Sequence, residues 1–415
     1  MIVAVCLLQS CNCNRFHSED DAQKIDTLGS FIQVDIAMDS VFSISDIADT
    51  VMYFKLNRTS KSDYAFQVFY DGEQIVLYDM NSLFFYTLDG KEKNKVSCPF
   101  ACVDYDISNK RLHIYEFKKK SIRVFTSDGK LINTIRLKTS DGGTFGHCFA
   151  SVDSSTYVLA KENANGNDGG LLFISSTGNL IRRIGSHDSF LPVSSSYIYN
   201  TDWDYSIIRT DREIAYYPSY NDTIFWLKDG EKGEMKPFFA ETILKKVPLE
   251  YRTEVSGTVL DDYIAQCYKN GWVTPRYFIN ERFVLAQYVH GRFVNDLPGY
   301  LLYDKKSKRA IAFKNNLLES PFHFGIYNDY DGGLAFTPLN QCKNYLIMVG
   351  AGIAQGGMKN YPKKLYSIGR ELCGKVYPVI SGIAKNQESK EKLSKFFSEF
   401  DEDKQTMITI LKLKK

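Results

Sequence analysis

Tyr86-Thr87-Leu88-Asp89-Gly90-Lys91 recurs along the chain with small changes, and this repetition decides the fold. The later copies share an aromatic residue followed by a turn glycine, and they lie at 125–130, 173–179 and 225–231. Their glycines stand 39, 49 and 52 residues apart. Asp-Gly between alternating apolar runs predicts a tight β-hairpin, because the turn needs positive φ.

Each copy carries a second strand ahead of the strand that leads into the turn. The paired runs are 74–78 with 83–87, 111–117 with 121–125, 156–160 with 171–174, 213–217 with 223–227, 282–288 with 299–303, and a degenerate sixth copy at 334–336, 341–343 and 344–349. Units of about 40–50 residues with three or four short antiparallel strands are typical of propeller blades. The sequence therefore predicts an all-β fold, a six-bladed β-propeller of four-stranded antiparallel blades.

The segments outside the repeats predict helices and a closing strand. Runs at 241–246 and 260–268 predict a short helical insertion after the fourth blade. At the ends, we expect strands at 31–36, 41–47, 51–56 and 407–413, and a helix at 386–400 with an apolar side formed by Leu393, Phe396, Phe397 and Phe400. The end segments should complete one blade together. The predicted division is a signal peptide at 1–10, a flexible tether at 11–30, the propeller at 31–385 with a helical insertion near 239–270, and a C-terminal helix and closing strand at 386–415.

The first eleven residues predict lipid attachment. Residues 2–8 are apolar but too few to cross a bilayer as a helix, which needs about 20 residues. They suit the core of a secretory signal, the alternative being a small buried strand. Leu8-Gln9-Ser10-Cys11 resembles the bacterial lipoprotein box, and this resemblance implies acyl chains on the sulfur and amine of Cys11. We therefore expect a membrane contact through this anchor and a location in the cell envelope, as an outer-membrane lipoprotein.

Composition excludes several classes of partner and protein. The chain has 51 Lys and Arg against 49 Asp and Glu, so its net charge of +2 gives no reason to expect a nucleic-acid partner. A hydrophobic fraction of 44% excludes an intrinsically disordered chain. The 27 Tyr and 28 Phe fit the half-buried surfaces of strands, which agrees with the repeat.

No motif in the chain predicts a catalytic, cofactor-binding or metal-binding residue. The glycine-rich run at 349–356 has Gln355 where a dinucleotide fingerprint needs its last glycine. The segment 163–169 offers only one carboxylate for calcium, Asp168. Cys98 and Cys102 lack a second pair for zinc, although a disulfide between them stays open. The lysines at 118–120 predict a solvated turn.

The order of these motifs resembles a family, the six-bladed β-propeller lipoproteins of Gram-negative gut anaerobes, from about residue 32 to the C terminus. The resemblance rests on three features of the sequence: residues 43–51 followed by residues 54–56, the Asp-Gly-Lys turns, and Asn328-Asp329 followed by residues 336–338. The family's glycine- and proline-rich loop after the first Asp-Gly turn is replaced here by 96–100, and its acidic Asn-Pro stretch by 401–406. The resemblance implies a fold and a location but no activity.

Three functions are compatible with this sequence. The leading hypothesis is a non-catalytic scaffold that binds a peptide, a glycan or a partner protein on one loop face of the ring. The alternative is a lyase or hydrolase with its site at the central channel, which requires His, Asp, Glu or Arg to converge from at least three blades. The third is a purely structural role in envelope assembly.

Overall fold

The structure is a computed structural model, and it describes sixteen segments of the chain. They are residues 42–57, 67–139, 148–161, 170–185, 207–210, 213–217, 223–228, 234–240, 244–245, 266–267, 269–290, 299–314, 325–333, 335–349, 384–401 and 404–415. Within them, strands β1 to β24 form six antiparallel sheets of four strands each. These sheets are the blades of a β-propeller, so the predicted fold class is confirmed.

The first five blades follow the chain, each with its strands in sequence order. Blade 1 holds β2 Gln67–Tyr70, β3 Gln74–Tyr78, β4 Ser82–Thr87 and β5 Glu92–Ser97. Blade 2 holds β6 Cys102–Asp106, β7 Arg111–Glu116, β8 Ser121–Thr126 and β9 Leu131–Arg136. Blade 3 holds β10 Cys148–Ser151, β11 Thr156–Lys161, β12 Gly170–Ser175 and β13 Leu180–Gly185. Blade 4 holds β14 Ile207–Arg209, β15 Ile214–Tyr216, β16 Thr223–Lys228 and β17 Glu234–Ala240. Blade 5 holds β18 Val273–Ile279, β19 Phe283–His290, β20 Gly299–Asp304 and β21 Arg309–Lys314.

Blade 6 closes the ring by combining strands from both ends of the described chain. Its order is β22 Asn340–Cys342, β23 Tyr345–Val349, β24 Gln405–Leu413 and β1 Ala48–Asn57. Strand β24 lies between β23 and β1 and pairs antiparallel with both. The prediction that one end completes a blade begun by the other is confirmed.

Two of the end segments differ from the sequence prediction. The sequence predicts a strand at 41–47, but Ile44–Ile47 is a single helical turn, α1. The N–H of Ser43 donates to the Asp46 carboxylate at 2.8 Å, which caps the turn. Ile44 and Ile47 are both buried, and their separation of three residues places them on the same side of a helix. Phe336 forms an isolated bridge with Ile326 rather than a strand of blade 6, so the predicted strand at 334–336 is wrong. The predicted strand at 31–36 lies outside the described residues.

The C-terminal helix α2, Gln387–Glu399, lies against the outermost strand of blade 6. Asn386 caps it by accepting the N–H of Ser389 at 2.9 Å. Leu393 is buried, and the ring of Phe396 packs on Tyr53 of β1 with 5.6 Å between centroids. The predicted helix is confirmed. Within the described residues, no helix is long and apolar enough to span a membrane.

The predicted helical insertion near 239–270 is described only in part. Residues 239 and 240 belong to β17, and residues 266–267 and 269–270 are helical. The segment 246–265, with most of the two predicted helical runs, lies outside the described residues.

Aromatic residues fill the spaces between blades, because the middle strands are buried on both faces. All five residues of β3 are buried, whereas β5 is mostly exposed at the outer rim. Ring pairs join adjacent blades across this core: Phe69 with Tyr105, Tyr217 with Tyr277, and Tyr70 with Tyr345. Their centroids are 6.0, 5.1 and 5.0 Å apart, in edge-to-face arrangements that aromatic pairs prefer.

The Asp-Gly turns also hold neighbouring blades together. Gly90, at φ +83°, accepts the N–H of Asn57 in β1 at 2.9 Å, although it belongs to blade 1. A Cβ at this position would overlap the carbonyl oxygen of Lys55 and lie 2.9 Å from its carbonyl carbon. Gly178 of blade 3 lies in the same way against the carbonyl of Arg136 in blade 2. Glycine is needed here for both the backbone angle and the close approach.

The two sides of the ring carry connections of different length. First strands of several blades approach one another, β6 with β10, β10 with β14, and β2 with β22, so they surround the axis. The connections that follow these first strands are short, at 71–73, 107–110, 152–155, 210–213, 280–282 and 343–344. The strand ends on the opposite side are joined by the longest connections in the sequence, 186–206, 241–272, 315–339 and 350–404.

Candidate functional site

Three polar side chains meet where the first strands of blades 2, 3 and 4 come together. Asp104 lies in the middle of β6, Ser151 ends β10, and Arg209 ends β14. Nε and Nη2 of Arg209 donate to Oδ1 and Oδ2 of Asp104 at 2.8 and 2.6 Å. The N–H and hydroxyl of Ser151 donate to the same Oδ2 at 2.9 and 3.1 Å. We call these three residues the axial cluster.

Arg209 connects three blades through one guanidinium group. Besides the Asp104 carboxylate, its Nη2 donates to the backbone carbonyl of Ser151 at 2.5 Å and contacts the Ser151 hydroxyl at 3.0 Å. Arg209 therefore joins blade 4 to blades 2 and 3. A planar guanidinium suits this role because it offers several donors in a fixed geometry.

The axial cluster is ionised and fully engaged. Burial by itself would raise the pKa of Asp104, but the charge of Arg209 and its hydrogen bonds outweigh burial and bring that pKa below its usual value. Burial likewise opposes ionisation of Arg209, and the Asp104 carboxylate more than offsets it, so the pKa of Arg209 is raised. At neutral pH Asp104 is therefore a carboxylate and Arg209 a guanidinium, and the two charges are paired with each other.

His113 lies beside the axial cluster on β7, directly opposite Asp104 in the strand register. Burial lowers the pKa of His113, with the Asp104 charge acting against this effect, so the imidazole is neutral at physiological pH. Its Nδ1 is buried and has no hydrogen-bond partner among the described residues. The ring packs edge-on against Tyr157 of blade 3, 5.5 Å between centroids. In the part of the chain that the structure describes, no hydrogen bond joins His113 to Ser151.

A second polar group joins blades 1 and 2 at the same end of the first strands. Oδ2 of Asp71 accepts the hydroxyl of Tyr105 at 2.5 Å, and Oδ1 accepts the N–H groups of Glu73 and Gln74 at 2.8 and 2.9 Å. Burial, followed by the hydrogen bond to Asp71, raises the pKa of Tyr105. The phenol therefore stays protonated and remains a donor.

Two successive amides of β22 hold blade 6 between its neighbours. Asn340 accepts the N–H of Val68 at 3.1 Å and donates to its carbonyl at 2.7 Å, towards blade 1. Gln341 accepts the N–H of Ile279 at 2.7 Å and donates to its carbonyl, towards blade 5. Adjacent residues of a strand point to opposite sides, so this pair can bind both neighbours at once.

The chemistry of these groups is that of a brace between blades. A serine nucleophile needs a neighbouring base that can take its proton. The Ser151 hydroxyl instead donates to Asp104, a carboxylate that already accepts two bonds from Arg209. Across the described ranges, no group of three or more His, Cys, Asp or Glu is placed to hold a metal ion.

The structure separates the predicted site residues into described and undescribed ones. Cys11, the predicted lipid-attachment residue, lies outside the described residues, as do the segments 163–169 and 350–356. Cys98 and Cys102 are both free thiols, and burial raises the pKa of Cys98 to about 12. The lysines at 118–120 form the predicted turn, a 3₁₀ turn at Phe117–Lys119 followed by Lys120 in left-handed conformation.

Sequence reasoning missed the axial cluster. One signal was present: Asp104 stands between Val103 and Tyr105, and Arg209 follows Ile207 and Ile208, so each places a charge in a short apolar strand. Opposite charges at such positions in two repeats are a hint of pairing, since an unpaired buried charge is costly.

Comparisons with known proteins agree with this architecture. The chain is similar to the solved structure of a predicted exported protein from Bacteroides fragilis, with 12% identity, 91% of this chain and 98% of that chain covered, and a TM-score of 0.60. A member of the DUF4221 family from Bacteroides vulgatus gives 9% identity, 65% and 85% coverage, and a TM-score of 0.36. A streptogramin B lyase gives 9% identity, 62% coverage of this chain and 70% of that chain, and a TM-score of 0.35. At these values the first similarity shows the fold alone, and the other two carry no argument.

A comparison with functionally curated proteins found no significant match. A family model described as a domain of unknown function, DUF4934, matches residues 30–412. Because this match spans most of its length, the chain belongs to the DUF4934 family.

Proposed function

We propose that this protein is a lipid-anchored β-propeller of the cell envelope that acts as a non-catalytic scaffold for a peptide, a glycan or a partner protein. The observation that carries the proposal is the saturation of the axial cluster: the Asp104 carboxylate accepts four hydrogen bonds from Ser151 and Arg209. The polar groups that converge near the axis stabilise the ring itself. Long connections on one side of a rigid ring are the usual place for binding residues.

Two observations support the envelope location. Leu8-Gln9-Ser10-Cys11 resembles a lipoprotein box, and the similar Bacteroides fragilis protein is described as exported. The test is fractionation of cells that express the full chain with Cys11→Ala, with Cys13→Ala as the matched control. We expect Cys11→Ala alone to release the protein from washed membranes. Retention of the Cys11→Ala protein in the membrane fraction would show that the anchor is misassigned.

The binding role is tested with defined probes. The purified chain is screened against panels of peptides and oligosaccharides by thermal shift, and each hit is then incubated with the protein and analysed by mass spectrometry. A scaffold stabilises its ligand complex and returns the ligand unchanged. Turnover of any hit by the purified protein would overturn the non-catalytic assignment.

One observation favours a lyase or hydrolase as the second candidate. Asp104 from blade 2 and Arg209 from blade 4 converge on Ser151 from blade 3. If this cluster were catalytic, Asp104→Asn and Arg209→Lys would abolish turnover while the circular dichroism spectrum stayed native. If the protein is a scaffold, both variants should be less stable than the wild type, and the wild type itself should turn over no ligand.

A further inference from the structure

Two large apolar side chains are exposed side by side near blades 1 and 2. Met80 lies in the turn between β3 and β4, and Phe100 lies in the connection from β5 to β6. Their side chains are 37% and 54% exposed, and the N–H of Phe100 donates to the carbonyl of Met80 at 2.6 Å. Pro99, beside Phe100, is exposed as well. We call Met80, Pro99 and Phe100 the apolar tip.

A buried tyrosine fixes the backbone beneath the apolar tip. The Tyr78 hydroxyl donates to the carbonyl of Ala101 at 2.8 Å, accepts the N–H of Ala101 at 2.8 Å, and contacts the carbonyl of Met80 at 3.2 Å. Burial raises the pKa of Tyr78, so the hydroxyl remains protonated. Both loops of the tip are therefore bound to one rigid point of the blade 1 core.

The backbone at the apolar tip is one that favours glycine. Met80 has φ +73° and Phe100 has φ +50°, both in the left-handed region that is unfavourable for residues with a Cβ. Glycine at either position would relieve this strain. Because both side chains are exposed, burial of apolar surface does not offset this strain. Backbone strain often occurs at functional sites, and exposed apolar side chains often mark contact surfaces.

Basic side chains surround the apolar tip. Nζ of Lys118 lies 5.7 Å from the ring centroid of Phe100, and the exposed Lys119 and Lys120 follow it in the same turn. The Glu116 carboxylate is shared by Lys119 and Arg123, at 3.0 Å from each. Asp79, next to Met80, is buried and accepts the backbone N–H groups of Asn81 and Ser82. Among these groups the three lysines are exposed and both carboxylates are buried, so the exposed charge that they place beside the tip is positive.

We propose that the apolar tip inserts into the headgroup region of an anionic lipid bilayer, with Lys118, Lys119 and Lys120 against the lipid phosphates. The tip stands on two turns, and a bilayer accepts such apolar side chains without a complementary pocket. Anionic headgroups match the basic turn. This contact goes beyond the proposed scaffold role and does not depend on Cys11. It would hold the ring with blades 1 and 2 towards the membrane.

The test is cosedimentation of the full chain with lipid vesicles. Every protein carries Cys11→Ala, so an acyl anchor contributes to none of the measurements and failure of the anchor assignment leaves the result unchanged. Vesicles of phosphatidylcholine alone are compared with vesicles that contain about one-third phosphatidylglycerol. We expect binding only to the anionic vesicles, and we expect added salt to weaken it.

Two variants address the two parts of the contact. Phe100→Ala and Lys118→Gln should each weaken binding to the anionic vesicles about fivefold. The matched controls are Leu131→Ala, an equally exposed apolar side chain on β9, and Lys306→Gln, an exposed lysine in the turn of blade 5. Both controls should bind like the parent protein. Equal binding to both vesicle types, or a Phe100→Ala protein that binds like Leu131→Ala, would overturn the proposal.

A third variant keeps the test decisive if Phe100→Ala does not fold. In Phe100→Trp, the new indole should shift its fluorescence emission to shorter wavelength on addition of anionic vesicles. Leu131→Trp should show no such shift. If the protein ignores vesicles but Phe100 is needed to hold an acidic partner protein, the bilayer assignment is wrong and the tip is a protein-binding surface.

Discussion

Replacing Gly90 with alanine tests whether the Asp-Gly turns hold the blades together. The change introduces a Cβ that overlaps the carbonyl oxygen of Lys55 in blade 6. A left-handed alanine costs about 1–2 kcal/mol, and loss of the hydrogen bond from Asn57 to Gly90 adds about 0.5–1.5 kcal/mol. Because blade 1 must also shift away from β1, we expect the free energy of unfolding to fall by roughly 2–4 kcal/mol. Equilibrium unfolding in urea, followed by circular dichroism, measures this loss.

Gly72→Ala is the matched control for this experiment. Gly72 has φ +94°, but nothing lies within 4 Å of the point that an alanine Cβ would occupy, so the substitution introduces backbone strain without a clash. Its cost should be about 1–2 kcal/mol, and the difference between the two variants reports the contact between blades. If Gly90→Ala costs no more than Gly72→Ala, the turn glycines do not join the blades and the reasoning fails.

Three further predictions concern the axial cluster, a buried thiol and the closing strand. Asp104→Asn should lower the free energy of unfolding by about 3–5 kcal/mol at pH 7, because Arg209 loses its charged partner. The pKa of Asp104 is lower in the folded protein than in the unfolded chain. The stability that its carboxylate contributes is therefore complete above the unfolded pKa of about 3.9 and is lost as the pH falls through the folded pKa. In urea titrations, the free energy of unfolding should fall more steeply on acidification for the wild type than for Asp104→Asn. Cys98 should react with a thiol reagent far more slowly than Cys102, as measured by peptide mapping, since it is buried with a pKa raised to about 12; equal rates would contradict its burial. Ile410→Ala in β24 should lower the free energy of unfolding by about 2–5 kcal/mol, because Ile410 is buried. Lys412→Ala, at an exposed position of the same strand, should lower it by less than about 0.5 kcal/mol. Equal losses for the two variants in urea unfolding would refute the placement of β24.

The blades were predictable because their signals are local. Strands β3, β4, β7 and β8 have apolar runs that end in turn residues, and both partners of each hairpin lie within a few residues. The first strand of blade 6 had no such signal. Asn340 and Gln341 form hydrogen bonds with blades 1 and 5, so this strand is polar. Hydrogen bonds to distant parts of the chain cannot be inferred from the local pattern of apolar residues. The strand prediction at 41–47 was wrong because Phe42 and Ile44 also fit a period of two.

The axial cluster could not be predicted from spacing. Ser151 lies 47 residues from Asp104, and Arg209 lies 105 residues from it, so no local motif contains two of its members. Their meeting depends on three blades arriving at the axis in the right order. The same holds for the apolar tip, where the strain at Met80 and Phe100 is a property of the folded backbone. Only the turn lysines at 118–120 were visible in the sequence.

Blade 6 can form only after its strand β24 has been synthesised, because β24 lies between β23 and β1. Gln405 and Asn57, paired at one end of β24 and β1, are 348 residues apart, and closing a flexible loop of that length costs about 5 kcal/mol. Until residues 405–413 have been made, β1 and β23 each lack the neighbour that lies between them. A product that stops earlier keeps two open sheet edges, which invite aggregation and proteolysis. The ring therefore closes only in chains that already contain β24.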